Sequence, residues 1–198
     1  MSEVNSGERP RRMRAEGRRS VVAILDAAIR ILGERRPHAS MDEVASMAGV
    51  SRQTVYAHFP SRDALLGAVA RRITAQVVAA MDAAHLDQGP AVEALLRLLD
   101  VNWRAFEQLP LLSTIPETDA VELHVPVFER LERLIRRGQR AGEFDPAVTP
   151  AWLIAATVAL GHAAGNEVAA GRMSAAAAEA ALRVSVLRVY GATPSSPA

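Results

Sequence analysis

Arg52, Gln53 and Thr54 stand side by side, and each carries a group that can read the edge of a DNA base. An arginine guanidinium pairs bidentately with guanine, a glutamine carboxamide with adenine, and a threonine methyl packs on the methyl of thymine. Tyr56 and His58 follow with polar tips able to reach phosphate oxygens, and Arg62 adds a cation close behind. Contacts to phosphate fix register on DNA without carrying sequence information. This chemistry requires the three base-reading side chains to project from the start of a short helix that enters the major groove.

The flanking residues specify such a helix and its partner. Ser40 and Glu43 have the S-x-x-E spacing of a capping box, in which each side chain satisfies the other's backbone N–H. Met41, Val44, Ala45 and Ala48 recur at helical spacing and give the first helix an apolar face. Gly49 ends it with a positive φ, Val50 fills the angle, and Ser51 caps a second helix running to about His58. Val55 and Phe59 are expected to face the interior. Pro60 cannot continue the helix. Ser61 caps the next one, with Asp63 in a first turn whose dipole favours an anion. Two short helices around a glycine turn make a helix-turn-helix. The same pattern also describes a plain helical hairpin with Arg52, Gln53 and Thr54 on a solvated face.

As a set, Met41, Val44, Ala45, Ala48, Gly49, Val50, Ser51, Thr54, Val55, Tyr56, His58, Phe59, Arg62 and Leu65 closely resemble the DNA-binding region of the TetR family of bacterial repressors. The resemblance covers roughly residues 21–66, a third of the chain. The family often has threonine where Met41 stands and lysine where Arg62 stands; Arg62 keeps the charge. The resemblance implies a homodimer on a double-stranded DNA operator, released by a small-molecule effector. The DNA-contacting set expected here is Arg52, Gln53, Thr54, Tyr56, His58 and Arg62, joined by Ser51, Ser40 and Arg19.

The bulk charge at first argues against DNA, since 23 Arg and no Lys meet 22 acidic residues for a net +1. The two parts of the chain differ, however. Residues 1–72 carry 13 Arg against 8 acids, and residues 73–198 carry 10 Arg against 14 acids. The positive balance falls where the helix-turn-helix lies, as backbone-driven DNA affinity requires. There is no cysteine, which excludes disulfides and thiolate metal sites. The five histidines, at 38, 58, 85, 124 and 162, form no i, i+4 doublet of the kind that binds metal on one helix. No signal-peptide core and no membrane-length apolar run stand out, so a cytoplasmic location is expected. No nucleophile triad, phosphate-binding glycine loop or carboxylate pair can be argued, so an enzyme is not expected, nor a cofactor or metal. The alternatives left open are a helical dimer without DNA function and a small-molecule-binding enzyme.

The whole chain reads as all-α, about nine helices, with a three-helix head and a larger ligand-binding and dimerisation body. Residues 1–17 read as a flexible basic arm, 18–66 as the DNA-binding domain, 67–191 as the body and 192–198 as a disordered tail. The arm's arginines can reach along DNA or merely solubilise the chain. Helices are expected at about 18–36, then the pair above, then 61–84, 91–108, a short piece at 111–115, 118–141, 149–170 and 174–190. Trp103, Phe106, His124, Phe128, Trp152, His162 and Asn166 are the candidate lining of a mainly apolar effector cavity; each can equally be ordinary core. The penultimate helix is rich in Ala and Gly, so Ala155, Ala159, Gly161 and Gly165, with Leu182, Val186 and Val189 of the last helix, are the expected dimer seam. The open alternative is packing within one chain. A four-helix bundle between subunits is what the resemblance implies.

Overall fold

In the computed structural model, residues 8–33, 40–108 and 117–192 are described. They form eight helices and no strand: α1 (Glu8–Gly33), α2 (Met41–Ala48), α3 (Arg52–His58), α4 (Arg62–Ala83), α5 (Ala91–Gln108), α6 (Glu117–Arg140), α7 (Pro150–Ala169) and α8 (Ala175–Val189). The count is eight rather than nine; the short piece expected at 111–115 and the tail from 193 lie outside the described residues, as does residue 37, expected to end the first helix. The chain divides into two compact units, Met1–Ala70 and Arg71–Ala198, and the division falls within α4.

The first unit is built on the apolar stripe of α1. Ile24, Ala28, Ile31 and Leu32 are buried together with Met41, Val44 and Ala45 of α2, Val55 of α3, and Leu65 and Val69 of α4. α1 packs on both α2 and α3. It begins at Glu8, ten residues before the expected start at 18, so residues 8–17 are helical instead of a flexible arm. Arg, Glu and Ala are good helix formers. Pro10 falls in the first turn, where its missing N–H has no intrahelical partner to lose.

In the second unit, Leu95 and Leu98 of α5, Leu131 and Ile135 of α6, Leu153 of α7 and Leu182 and Val186 of α8 form one core. Its far end is aromatic. Phe144 meets Tyr190 edge-on, with ring centroids 5.1 Å apart and planes at 87°. Gly138 makes room for it: a Cβ there would lie 2.2 Å from Phe144 Cδ2. Thr157 gives its one hydroxyl proton to the Leu153 carbonyl at 2.7 Å. Tyr190 must therefore be the donor in its 2.9 Å bond to Thr157 Oγ1. Burial pushes the Tyr190 phenol up to about 12. Ala192, expected in the tail, is buried against this core.

α4 is the one helix among the described residues long and apolar enough in composition to cross a membrane. Arg71 and Arg72 stand at its centre, and its Leu65, Val69, Ile73 and Met81 are buried within the protein.

Two consequences can be measured. Gly138→Ala gains about 1 kcal/mol of helix propensity but overpacks a ring with nowhere to go, at about 1–3 kcal/mol or more. The expected outcome is a Tm lowered by several degrees in a thermal melt, and an unchanged or raised Tm would contradict the packing. Tyr190 has a folded pKa of about 12 against an ordinary 10.0. Its contribution is complete below the ordinary value and is lost as pH rises through the folded one, up to about 3 kcal/mol. Urea unfolding followed from neutral to strongly alkaline pH should show this loss in the native chain, and Tyr190→Phe should flatten it.

Candidate nucleic-acid interface

The geometry around α2 and α3 is set by local hydrogen bonds. Ser40 Oγ accepts from the Glu43 N–H at 3.2 Å. Glu43 Oε2 accepts from the Ser40 N–H at 2.9 Å, closing the capping box. Gly49 follows with φ 67° and ψ 30°. An added Cβ there would meet nothing within 4 Å, so the backbone dihedral alone selects glycine. The Val50 N–H returns to the Ala45 carbonyl at 3.1 Å, fixing the turn. Ser51 Oγ then accepts from the Thr54 N–H at 3.1 Å and lies 2.8 Å from Thr54 Oγ1. With its first turn capped and Val55 and Phe59 buried beneath it, this seven-residue helix does not depend on its own weak propensity.

On the outer side, Arg52, Gln53, Tyr56 and His58 are exposed, while Thr54 is half-buried by its bond to Ser51. Arg52 is held in place. Its Nη1 donates to Asp42 Oδ2 at 2.9 Å, and its guanidinium lies 5.4 Å from the Tyr56 ring centroid. Cation–π contact and an exposed ion pair are each worth of order 1 kcal/mol or less. Together they orient a long side chain that would otherwise sample many rotamers. Asp42 is the participant that sequence reading missed. Its signal was slight, an acid in the first turn of α2 ten residues from Arg52, with no periodicity linking them.

Ser61 Oγ accepts from the Ala64 N–H at 3.1 Å and starts α4, with Arg62 exposed beside it. Arg19 is exposed on α1. Two residues earlier, a Cβ on Gly17 would lie 3.9 Å from His58 Cε1, so α1 passes beside the end of α3 there.

The candidate cavity residues are not gathered into one lining. Trp103 is buried and stacks near Phe106, with centroids 5.3 Å apart. His124 and Phe128 pair on α6 at 5.7 Å, with His124 exposed. Trp152 is 64% exposed, and His162 and Asn166 are exposed as well. The inward face of α7 is instead Leu153, Thr157, Ala164 and Gly165, which turns those three outward.

The expected dimer seam also divides. Leu182 and Val186 are buried in the core of their own chain, and Val189 packs against it. Gly165 is covered by the Phe106 ring, whose Cε2 would lie 2.4 Å from a Cβ there. Ala155 and Ala159 face solvent, and Gly161 has open space above it. The helical spacing of α8 was right, but its apolar stripe serves the intrachain core. No group of three His, Asp or Glu that could hold a metal occurs among the described residues.

An all-α chain that presents a doubly capped, apolar-anchored helix-turn-helix falls in the class of helix-turn-helix DNA-binding proteins. Residues 24–69 match the family profile described as bacterial regulatory proteins, tetR family. The chain is 37% identical over 97 residues to the HTH-type transcriptional repressor LfrR of Mycolicibacterium smegmatis (strain ATCC 700084 / mc(2)155). That match covers 49% of this chain and 47% of LfrR, about half the length of the curated relative. The crystal structure of LfrR from Mycobacterium smegmatis in complex with proflavine is similar over 87% of this chain and 96% of its own, with a TM-score of 0.69 and 27% identity. The regulator FadR from Bacillus subtilis, in complex with stearoyl-CoA, shares the fold alone, with a TM-score of 0.73 and 14% identity over 87% of this chain and 99% of its own. The match over residues 24–69 and the fold shared with LfrR both point to the TetR family.

Proposed function

We propose that the protein is a homodimeric transcriptional repressor that binds an operator through α3 and is released by a small molecule. The observation that carries this reading is the exposure of Arg52 and Gln53, with Thr54 half-buried beside them, at the start of a capped helix whose underside, Val55 and Phe59, is buried. In the bound state Arg52 leaves Asp42 for a guanine edge, Gln53 and Thr54 read the neighbouring bases, and Tyr56, His58 and Arg62 take phosphates. Ser40, Ser51 and Arg19 complete the contact set. The charge difference between the two parts of the chain supports the same assignment. So does the likeness to LfrR, which is named a repressor.

Dimerisation is assigned to the outer side of the last two helices. Trp152, Ala155, Ala159 and Ala163 face solvent on α7, and Val184 is 47% exposed on α8. Small side chains there let a second helix approach closely. A dimer suits a split operator, since two recognition helices engage half-sites one helical turn apart. The effector is a mainly apolar molecule that lies against Trp103 and Phe106. The Trp103 indole N–H is buried with no acceptor among the described residues, a donor that a ligand's oxygen or nitrogen can fill. Release requires the effector to bind the DNA-incompetent state more tightly, by about 1–3 kcal/mol or more.

A mobility-shift assay on the DNA upstream of the protein's own gene, at two salt concentrations, tests the central reading. A sequence-preferring shift that weakens with salt is expected, and its absence would overturn the repressor assignment. In the same assay Arg52→Ala should cost roughly 1–3 kcal/mol and relax preference at one base pair; equal weakening on all sequences would make Arg52 a phosphate contact. For the dimer, sedimentation should give two chains per particle in the native protein and one in Ala159→Arg. A monomeric native protein would refute the interface.

A further inference from the structure

We propose that the groove between the end of α4, the α4–α5 turn and α6 binds a small free polyanion, one bearing two or more phosphate or carboxylate groups. The groove has a volume of about 540 Å³ and is lined by Arg130, Arg133, Arg136, Arg137 and Arg140, with Asp82 and Asp87 the carboxylates among its described lining residues. That volume suits a small-molecule site. Residues 73–198 are acidic overall, yet half of their ten arginines meet here.

The groove's charges are unevenly compensated. Arg130 is spent on Asp82, through Nε–Oδ1 at 2.7 Å and Nη2–Oδ2 at 2.8 Å. Arg136 is spent on Glu132 at 2.7 Å. Among the described residues Arg137 donates to backbone alone, to the Gly89 and Leu86 carbonyls at 2.6 and 2.9 Å, and its buried Nε–H finds no acceptor. Arg133 and Arg140 reach no carboxylate within salt-bridge distance among the described residues.

The spacing makes this costly. Arg133 and Arg137, and Arg136 and Arg140, are like-charged i, i+4 pairs on α6, a cost that the helix dipole offsets only in part for Arg137 and Arg140 in its last turn. Glu129 and Glu132 stand one turn before Arg133 and Arg136, but no acid follows until Glu143, so charge signs alternate only in the first half of this stretch. Here guanidinium groups repel one another across a concave wall, and an anion relieves that repulsion. The planar donor forks of arginine fit phosphate and carboxylate oxygens bidentately. The site is distinct from the aromatic pair Trp103–Phe106, and it does not depend on the protein being a DNA binder.

The test uses the full chain and inorganic tripolyphosphate as probe, read by calorimetric titration and thermal melting at constant ionic strength. Saturable binding and a raised Tm are expected, with no matching effect of sodium chloride. Arg133→Ala/Arg140→Ala should weaken tripolyphosphate binding at least tenfold and should melt no lower than the native chain without the anion. Because the head is also basic, Arg19→Ala/Arg52→Ala is the control: it should lose DNA binding while keeping tripolyphosphate binding in the groove. Retained affinity in the groove variant, or loss confined to the head variant, overturns the proposal. So does binding to phosphatidylglycerol vesicles without any response to free tripolyphosphate.

Discussion

The end of α4 is fastened by guanidinium groups, and the arrangement of the helices that follow depends on that fastening. Arg97 of α5 donates to the carbonyls of Ala84, His85 and Gln88 at 3.0, 3.2 and 2.9 Å. Arg137 of α6 takes Leu86 and Gly89 from the other side. The turn between α4 and α5 thus has five of its carbonyls bound by two cations, in a place where a short loop would otherwise leave them to water. The bonds are charge-assisted, about twice the strength of neutral ones. They hold His85 at φ 48°, a left-handed conformation that a side chain disfavours by about 1–2 kcal/mol. Arg130 adds a paired bond to Asp82 in the last turn of α4 and holds that carboxyl below its usual range. Where that turn leads into α5, Glu143 accepts from the Val92 N–H at 3.0 Å, so a side chain just beyond the end of α6 caps the start of α5.

This fastening gives physical content to the proposed control of DNA binding. α4 contributes residues to both compact units. Its last turn is gripped by α5 and α6, the helices that carry Trp103, Phe106, His124 and Phe128. A ligand that changes how those two helices pack acts on α4 through ionic bonds that have few alternative geometries. Coupling of that kind needs a discrete rearrangement, since a packed core does not deform continuously.

What was legible in the sequence was local. The serine N-caps, the αL glycine and the proline stop act within four or five residues, so Ser40, Gly49, Ser51 and Pro60 placed their helix ends within a residue or two. The buried stripe of α1 was legible for the same reason. What was not legible depended on partners far along the chain. Ala-rich α7 suggested a face for another subunit, but one of its glycines accommodates Phe106, 59 residues earlier, and its inward face is set by which side the α8 stripe covers. Leu182 and Val186 were expected at a dimer seam and lie in the core of their own chain, because periodicity shows that a face is buried and not what buries it. Trp152 was a candidate for the cavity lining, but its place on α7 leaves it exposed. The arginines of α6 drew no notice, since a charge run on a helix reads as solvated until the turn it faces is known.

The pairing of Arg52 with Asp42 has a further consequence. On the proposed reading, the side chain that recognises a base is never idle. Leaving Asp42 uncovers a carboxylate beside the polyphosphate backbone, and that is unfavourable on any sequence. A lone phosphate gives Arg52 roughly what it gave up, whereas a guanine edge offers two acceptors in the right plane. The carboxylate therefore acts as a threshold: it lowers grip on arbitrary DNA more than on the matching site. A regulator that must find one site among a genome of near misses gains discrimination from a residue that repels its own target.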